Sequence, residues 1–281
     1  MKYFYVIVNQ EKPYALETAN HVRHYLETHG AGCAMKQERE TAAAGKYTDV
    51  ADVPSGAECV ITIGGDGTLI QAARDLAALE IPFVGINRGH LGYLTQVSRE
   101  EDVEDMLAAL LADRFHTEER MMLEGRVVRK GGVLLEDIAL NEILLTRTGA
   151  PKGILRFNIS VDGEFLNEYT ADGIIIATPT GSTAYNLSAG GPIAVPDSRI
   201  VVITPICSHA LNARSIVLPA SCRLQIDIME GEQSIVFDGD TAERLECSDR
   251  VEIGKAGCVT RLIKLDRVSF LENIRNKMAG I

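Results

Sequence analysis

The apolar positions of this chain fall into two textures. In the first part, short apolar runs alternate with stretches of helical period. Tyr3–Val8 reads as a strand that ends at Asn9, and Pro13 opens a helix that runs toward His29 and closes at Gly30. Ala57–Ile63 is a second strand, Leu69–Leu79 a Leu- and Ala-rich helix, and Ile81–Ile86 a third strand. Ser98 begins another helix, with Glu101 three residues on completing a capping box. Val103, Met106, Leu107, Leu110 and Leu111 give that helix one apolar face. Strand and helix in turn predict a parallel sheet with helices on both faces.

Beyond Phe115, strand-like runs follow one another with turn signals between them and no long helix. Ile154–Val161 and Glu164–Tyr169 flank Asp162-Gly163, a pair that favours the hairpin turn with positive φ. Arg223–Ile228 alternates polar and apolar, as a half-buried strand does, and Gly231, Gly239, Gly254 and Gly257 are expected to punctuate the later strands. Ser269–Met278 reads as a terminal helix. The expected organisation is an α/β domain over 1–115, a mostly-β domain over 116–268, and a C-terminal helix, 269–281, packing back on the first domain.

Composition narrows the function classes. With 46% apolar and 24% charged residues the chain can build a core, so disorder is excluded. The net charge is −11 and both halves are acidic, which disfavours nucleic acid and anionic membranes as partners. An anionic ligand would have to be met by locally arranged donors such as backbone N–H groups. The six cysteines form no CxxC pair and no zinc-like cluster with histidine, as expected of idle thiols in a reducing compartment. No apolar run approaches the roughly 18 residues of a membrane span, and the N-terminus lacks the features of a signal peptide. The expected location is the cytoplasm.

Three segments carry candidate chemistry. Gly64-Gly65-Asp66-Gly67-Thr68 lies between a strand and a helix. Its glycines permit backbone conformations closed to other residues and let a ligand approach the main chain. The helix start behind it offers free N–H groups and a positive dipole end to phosphate, with Asp66 beside them. The bland alternative is a tight turn in which Asp66 caps the helix. Neither GxxxxGK[ST] nor a GxGxxG turn after a strand is present. The second segment, Asp172–Pro192, is an apolar strand running into a loop rich in hydroxyls and glycines, including Thr180, Ser182, Thr183 and Ser188. Such a loop offers neutral donors and acceptors to sugar hydroxyls, an amide or phosphate, although a plain surface loop has the same composition. The third is Asn141-Glu142 inside the run Asp137–Leu145. An adjacent amide and carboxylate can grip a ribose diol, or can simply be an exposed pair on a strand.

Taken in this order and at these separations, the three segments resemble the NAD kinase family. The resemblance extends to Asn87–Leu94, Pro205–Val217 and Asp238-Gly239-Asp240, and so to nearly the whole chain. The Gly-Gly-Asp-Gly-Thr motif is shared with diacylglycerol and sphingosine kinases and in part with phosphofructokinases, whereas Thr178–Pro192 is far more specific. The resemblance implies a Rossmann-like α/β domain followed by a β-sandwich-like domain, assembled as a homodimer or homotetramer. It also implies divalent-metal-dependent, typically Mg²⁺-dependent, transfer of the γ-phosphoryl group of ATP, or a phosphoryl group of polyphosphate, to the 2′-hydroxyl of the adenosine ribose of NAD. By the same resemblance Asp66 is the base or orienting partner for that hydroxyl, with Gly67 beside it, while Gly64, Gly65 and Thr68 line the donor phosphates. Asn141 and Glu142 hold NAD. Asp172, Thr183, Ala184, Tyr185, Asn186, Leu187 and Ser188 shape its pocket. Lys152, with Gly153 as the neighbouring register, and Asp240 fall at polar contact positions, and Thr170 at a position that influences the choice between NAD and NADH. The metal ligands are not identified. His209 is read as structural. A lipid kinase would share the glycine loop but need an apolar substrate tunnel. A non-catalytic dinucleotide sensor would keep Tyr185 and Asn141-Glu142 and have no need of Asp66.

Overall fold

The computed structural model describes residues 1–36, 47–88, 92–148, 155–209, 213–265 and 269–279. The chain divides into two units, Met1–Glu119 with Thr260–Ile281, and Arg120–Val259.

The first unit is built on strands β1 (Tyr3–Val8), β2 (Gly32–Met35), β3 (Cys59–Ile63) and β4 (Phe83–Ile86), interleaved with helices α1 (Ala15–Thr28), α2 (Asp66–Asp75) and α3 (Glu101–Leu111). The strands pair in parallel in the order β2-β1-β3-β4, and Leu262 adds a parallel contact to Phe83. Every residue of β3 and β4 is buried, as a parallel sheet covered on both faces requires. Phe4, Val6, Ile61 and Ile63 share a core with Ala19, Val22 and Leu26 of α1 and with Val103, Met106, Leu107 and Leu110 of α3. Each such fully buried aliphatic or aromatic side chain contributes roughly 1.5–3 kcal/mol.

Three local expectations are corrected here. α1 begins at Ala15, and Tyr14 rather than Pro13 stands at its N-terminus. The capping box at Ser98 does not form: α3 starts behind Glu100, with no side-chain cap, which leaves Ser98 too far back for its hydroxyl to reach the first free N–H groups. β2 was not predicted, because its half-buried residues Gly32-Cys33-Ala34-Met35 pair through main-chain bonds at a sheet edge and carry no period of their own.

The second unit is nearly all strand. Its elements are β5 (His116–Arg129), β6 (Gly132–Ala139), β7 (Glu142–Arg147), β8 (Leu155–Val161), β9 (Glu164–Ala171), β10 (Gly173–Ala177), the single turn α4 (Tyr185–Ser188), β11 (Ile200–Ile206), β12 (Ile216–Pro219), β13 (Leu224–Glu230), β14 (Gln233–Phe237), β15 (Thr241–Leu245) and β16 (Arg250–Lys264). A last helix, α5 (Phe270–Ala279), follows and belongs to the first unit. An antiparallel sheet runs β12-β11-β10-β7-β14-β15. Opposite it lie the antiparallel pairs β9-β8-β13 and β13-β16, and the hairpin β5-β6. Leu145, Phe157, Ile159, Ile174, Ile176, Ile203, Ile226 and Phe237 meet in one core between the layers, the signature of a sandwich.

The β8–β9 hairpin turns at Asp162 and Gly163, with φ of 50° and 84°, as the Asp-Gly pair predicts. Gly254 and Gly257, expected at strand ends, instead lie inside β16, where a Cβ on Gly254 would collide with the Arg223 side chain.

Candidate active site

In the first unit, the C-terminal ends of three neighbouring parallel strands carry Asn9, Gly64-Gly65-Asp66 and Asn87-Arg88, the edge at which open α/β sheets take up ligands. α2 starts within the glycine motif itself. Gly65 is its N-terminal flanking residue in extended backbone, Asp66 its first residue, and no side chain caps it. The Thr68 N–H already donates to the Gly65 carbonyl at 3.1 Å, so the donors that the start of α2 offers to an anion are the N–H groups of Asp66 and Gly67. None of Gly64, Gly65 and Gly67 has positive φ. These glycines act through size: a Cβ on Gly64 would meet the Thr68 Oγ1, whereas Gly65 and Gly67 face open space. Thr68 is held in place by the Asn9 Nδ2, which donates to its hydroxyl at 3.3 Å.

Asp66 does not cap α2. Its carboxylate accepts from the loop that follows β4: Oδ2 from the Tyr93 N–H at 2.7 Å, and Oδ1 from the Leu94 N–H at 3.3 Å, the Thr95 N–H at 3.1 Å and the Thr95 hydroxyl at 3.0 Å. Gly92 is what lets this loop approach, because a Cβ there would lie 1.9 Å from Oδ1. Burial, and then the Asp66 charge, raise the Tyr93 phenol above its usual range. Nearby, Arg88 stacks over the Tyr14 ring at 5.7 Å and pairs with Glu100 at 2.6 Å, while the Tyr14 hydroxyl donates to Asn87 at 3.0 Å. The sequence quoted Asn87–Leu94 but did not reveal that its end would wrap the Asp66 carboxylate; Gly92 was the available signal.

In the second unit the two remaining motifs are stapled together. The chain breaks its strand at Leu140-Asn141, between β6 and β7. Thr178, just past β10, donates its N–H to the Asn141 carbonyl at 2.8 Å and its hydroxyl to the Leu140 carbonyl at 2.6 Å, while its Oγ1 accepts from the Gly181 N–H at 3.1 Å. Gly181 lies so close to the Asn141 backbone that a Cβ would sit 2.1 Å from the carbonyl oxygen. Asn141 is only 9% exposed, so the pair is not an exposed one on a strand. The Glu142 Oε2 is sealed from solvent with no hydrogen-bond partner. Desolvation, reinforced by the charge of Asp238, pushes the Glu142 carboxyl up to about 8.

The hydroxyl-rich loop sorts its side chains into two sets. Ser182 is buried, donating to the Pro179 carbonyl at 2.6 Å and accepting from the Ala194 N–H at 3.0 Å. Asn186 is fully buried, its Nδ2 donating to the Ser182 and Pro192 carbonyls at 3.1 and 3.0 Å and its Oδ1 accepting from the Thr204 hydroxyl at 2.7 Å. These two side chains hold the shape of the loop from inside. Thr183 and Ala184 are partly buried, the Thr183 hydroxyl donating to the Thr180 carbonyl at 3.3 Å, whereas Tyr185, Leu187 and Ser188 point outward. Asp172 pairs with Arg147 at 2.8 Å, and the Thr170 carbonyl accepts from the His209 N–H. Asp240 closes the β14–β15 turn by donating its N–H to the Phe237 carbonyl at 3.0 Å. Lys152 and Gly153 lie outside the described residues.

Among the described residues, no group of three or more His, Cys, Asp or Glu side chains is placed to hold a metal ion. No helix is long and apolar enough to cross a membrane among the described residues.

Residues 4–115 match the family model of the ATP-NAD kinase N-terminal domain, and residues 140–265 that of the ATP-NAD kinase C-terminal domain. The chain is similar to an NAD kinase of Lachnospira eligens, 42% identical over 99% of this chain and 100% of the relative. It is 40% identical to an NAD kinase of Agathobacter rectalis, over 100% of this chain and 99% of the relative. Two solved structures share the fold. One is the yeast NADH kinase complexed with NADH, at a TM-score of 0.83 and 23% identity over 100% of this chain and 88% of the other. The other is an NAD kinase from Archaeoglobus fulgidus in complex with ATP, at 0.77 and 20% over 100% of both chains.

Proposed function

This chain belongs to the NAD kinase family, and we infer from that membership that it phosphorylates NAD to NADP at the expense of ATP. The transfer places the γ-phosphoryl group on the 2′-hydroxyl of the adenosine ribose. The observation that carries the assignment to particular residues is the stapling of Leu140–Glu142 to Thr178–Gly181, which joins two separate sequence motifs into one surface.

Phosphoryl transfer asks mainly for positioning and charge stabilisation. We assign the donor phosphates to the uncapped start of α2, where Gly65 and Gly67 leave the main chain accessible and Gly64 keeps Thr68 close. A divalent cation carried on the phosphates of the donor would neutralise phosphate charge. Asp66 receives the proton of the ribose hydroxyl or orients that hydroxyl. Its Oδ2 accepts one hydrogen bond against three at Oδ1, so Oδ2 is the oxygen with room for the hydroxyl.

Asn141 and Glu142 grip NAD, the carboxylate accepting from ribose hydroxyls. Tyr185, Leu187 and Ser188 are the exposed side chains of the loop and offer it a stacking face and a hydroxyl. Thr183, Ala184, Asp172, Thr170, Lys152 and Asp240 complete the proposed NAD surroundings, with Asn186 and Ser182 supporting the loop from inside. We further propose a cytoplasmic homodimer or homotetramer without nucleic-acid or membrane partners. The net charge of −11 supports the last two exclusions, and Phe165 and Leu166, exposed on the edge strand β9, support self-association.

The test is incubation with ATP, Mg²⁺ and NAD, coupled to an NADP-specific dehydrogenase. NADP formation is expected. Binding of NAD without conversion would reassign the chain as a dinucleotide sensor.

A further inference from the structure

Asp238 opens the turn between β14 and β15. Its φ is 50° and that of Gly239 is 78°, and the Asp240 N–H donates to the Phe237 carbonyl at 3.0 Å. Phe237 pairs with Thr241, so the loop is the three residues Asp238, Gly239 and Asp240, and at the two positions of positive φ Asn-Gly and Gly-Gly serve at least as well as Asp-Gly. The turn therefore does not explain the carboxylate. The carboxylate reaches back across the sheet to the start of β7: Oδ2 accepts from the Leu140 N–H at 2.7 Å, and Oδ1 accepts from the N–H groups of Asn141 at 2.8 Å and Glu142 at 2.9 Å. Three successive main-chain donors converge on one side chain from almost a hundred residues away.

These donors need such an acceptor. At the corner between β6 and β7 the ladder is interrupted, and the carbonyls of Leu140 and Asn141 are taken by Thr178. The N–H side of the same corner would otherwise be left without partners in a part-buried setting, which costs about as much as a lost hydrogen bond per group. The corner is thus held from both sides, by Thr178 on its carbonyls and Asp238 on its amides. A carboxylate also carries a cost here, because it sits beside Glu142 and makes ionisation of that residue harder. An Asn would avoid that cost and suit the turn.

We propose that Asp238 is a positioning residue for NAD binding: its carboxylate fixes the main chain of Leu140-Asn141-Glu142 so that the Asn141 amide and the Glu142 carboxylate face the dinucleotide in one geometry. This rests on the NAD-gripping role assigned above to Asn141 and Glu142. The general reason is that a gripping pair on a strand end keeps its geometry only if the backbone beneath it has a single arrangement.

The variants Asp238→Asn and Asp238→Gly keep the turn and remove the three-way acceptor. In Asp238→Asn the amide nitrogen replaces one of the two oxygens and cannot accept from a main-chain N–H. Kinetics are to be run at a pH of about 9, so that Glu142 is ionised in every variant. Both variants are expected to fold with lowered thermal midpoints, to raise the KM for NAD about tenfold or more, and to leave kcat and the KM for ATP within about threefold. In an Asn141→Ala/Glu142→Gln background the Asp238→Asn penalty is expected to vanish, since nothing remains to be positioned. A folded variant with the wild-type KM for NAD would overturn the proposal, as would a penalty that persists undiminished in that background. Failure of both variants to fold would make Asp238 a folding residue and overturn it equally. A wild-type chain that neither binds nor phosphorylates NAD would overturn the assigned function itself, and this proposal with it.

Discussion

Glu142 has one carboxyl oxygen shut away from water without a partner, and its pKa is displaced to about 8 by burial first and Asp238 second. Near neutral pH the free protein therefore carries the acid form. The folded-state pKa lies above the ordinary carboxylate value, so the native state gains stability from protonation at low pH and loses it as pH rises through about 8. Ribose hydroxyls donate best to the ionised form, so NAD binding should release a proton. Calorimetric titration is expected to show the Kd for NAD falling as pH rises from about 6.5 to about 9, and Glu142→Gln should flatten that dependence. A flat wild-type profile would contradict the assigned contact. At Asp66 the expectation concerns rate: Asp66→Asn should fold, bind NAD and lose turnover by about 10²-fold or more, the usual scale for a lost general base. Wild-type kcat in that variant would remove Asp66 from the chemistry.

At the scale of elements, each unit has one loop that carries proposed site residues, and each loop is held by close contacts. The loop after β4 reaches Asp66 only because Gly92 has no side chain. Gly92→Ala should cost about 1–3 kcal/mol by overpacking, as read by denaturant unfolding, and should lower kcat roughly tenfold or more by moving the carboxylate. An unchanged kcat would separate that loop from catalysis. The loop after β10 is clamped by Asn186, whose amide holds Ser182, Pro192 and Thr204. Asn186→Ala should destabilise by about 1–3 kcal/mol through unpaired buried groups, with a raised KM for NAD.

The elements that make these contacts were unequally legible. β3 and β10 could be read because unbroken apolar runs have few other homes, and the Asp162-Gly163 hairpin because its turn chemistry is local. Asp66, Asn141-Glu142 and the Tyr185 loop stood out as residue types with a chemical use. The capping box at Ser98 failed because capping is settled within one or two residues, where tertiary contacts decide. That the side chains of Asn186 and Ser182 turn inward was not legible, because composition does not say which side of a loop faces inward. The grip of Asp238 on Leu140–Glu142 spans a separation that no local pattern reports.

At the scale of the whole chain, the net charge of −11 means that two anionic nucleotides are not drawn in by the global field. Binding must come from short-range donors, which the proposed assignment finds at the uncapped start of α2 and in the neutral loop that carries Tyr185. The central claim is that this acidic chain moves a phosphoryl group between them. The most direct measurement is to supply ATP carrying a radioactive γ-phosphorus together with Mg²⁺ and NAD, and to follow the label by chromatography. The account predicts label in a product that comigrates with NADP, formed by the wild type and at most about a hundredth as fast by Asp66→Asn. Label released as inorganic phosphate with NAD left unmodified would contradict it.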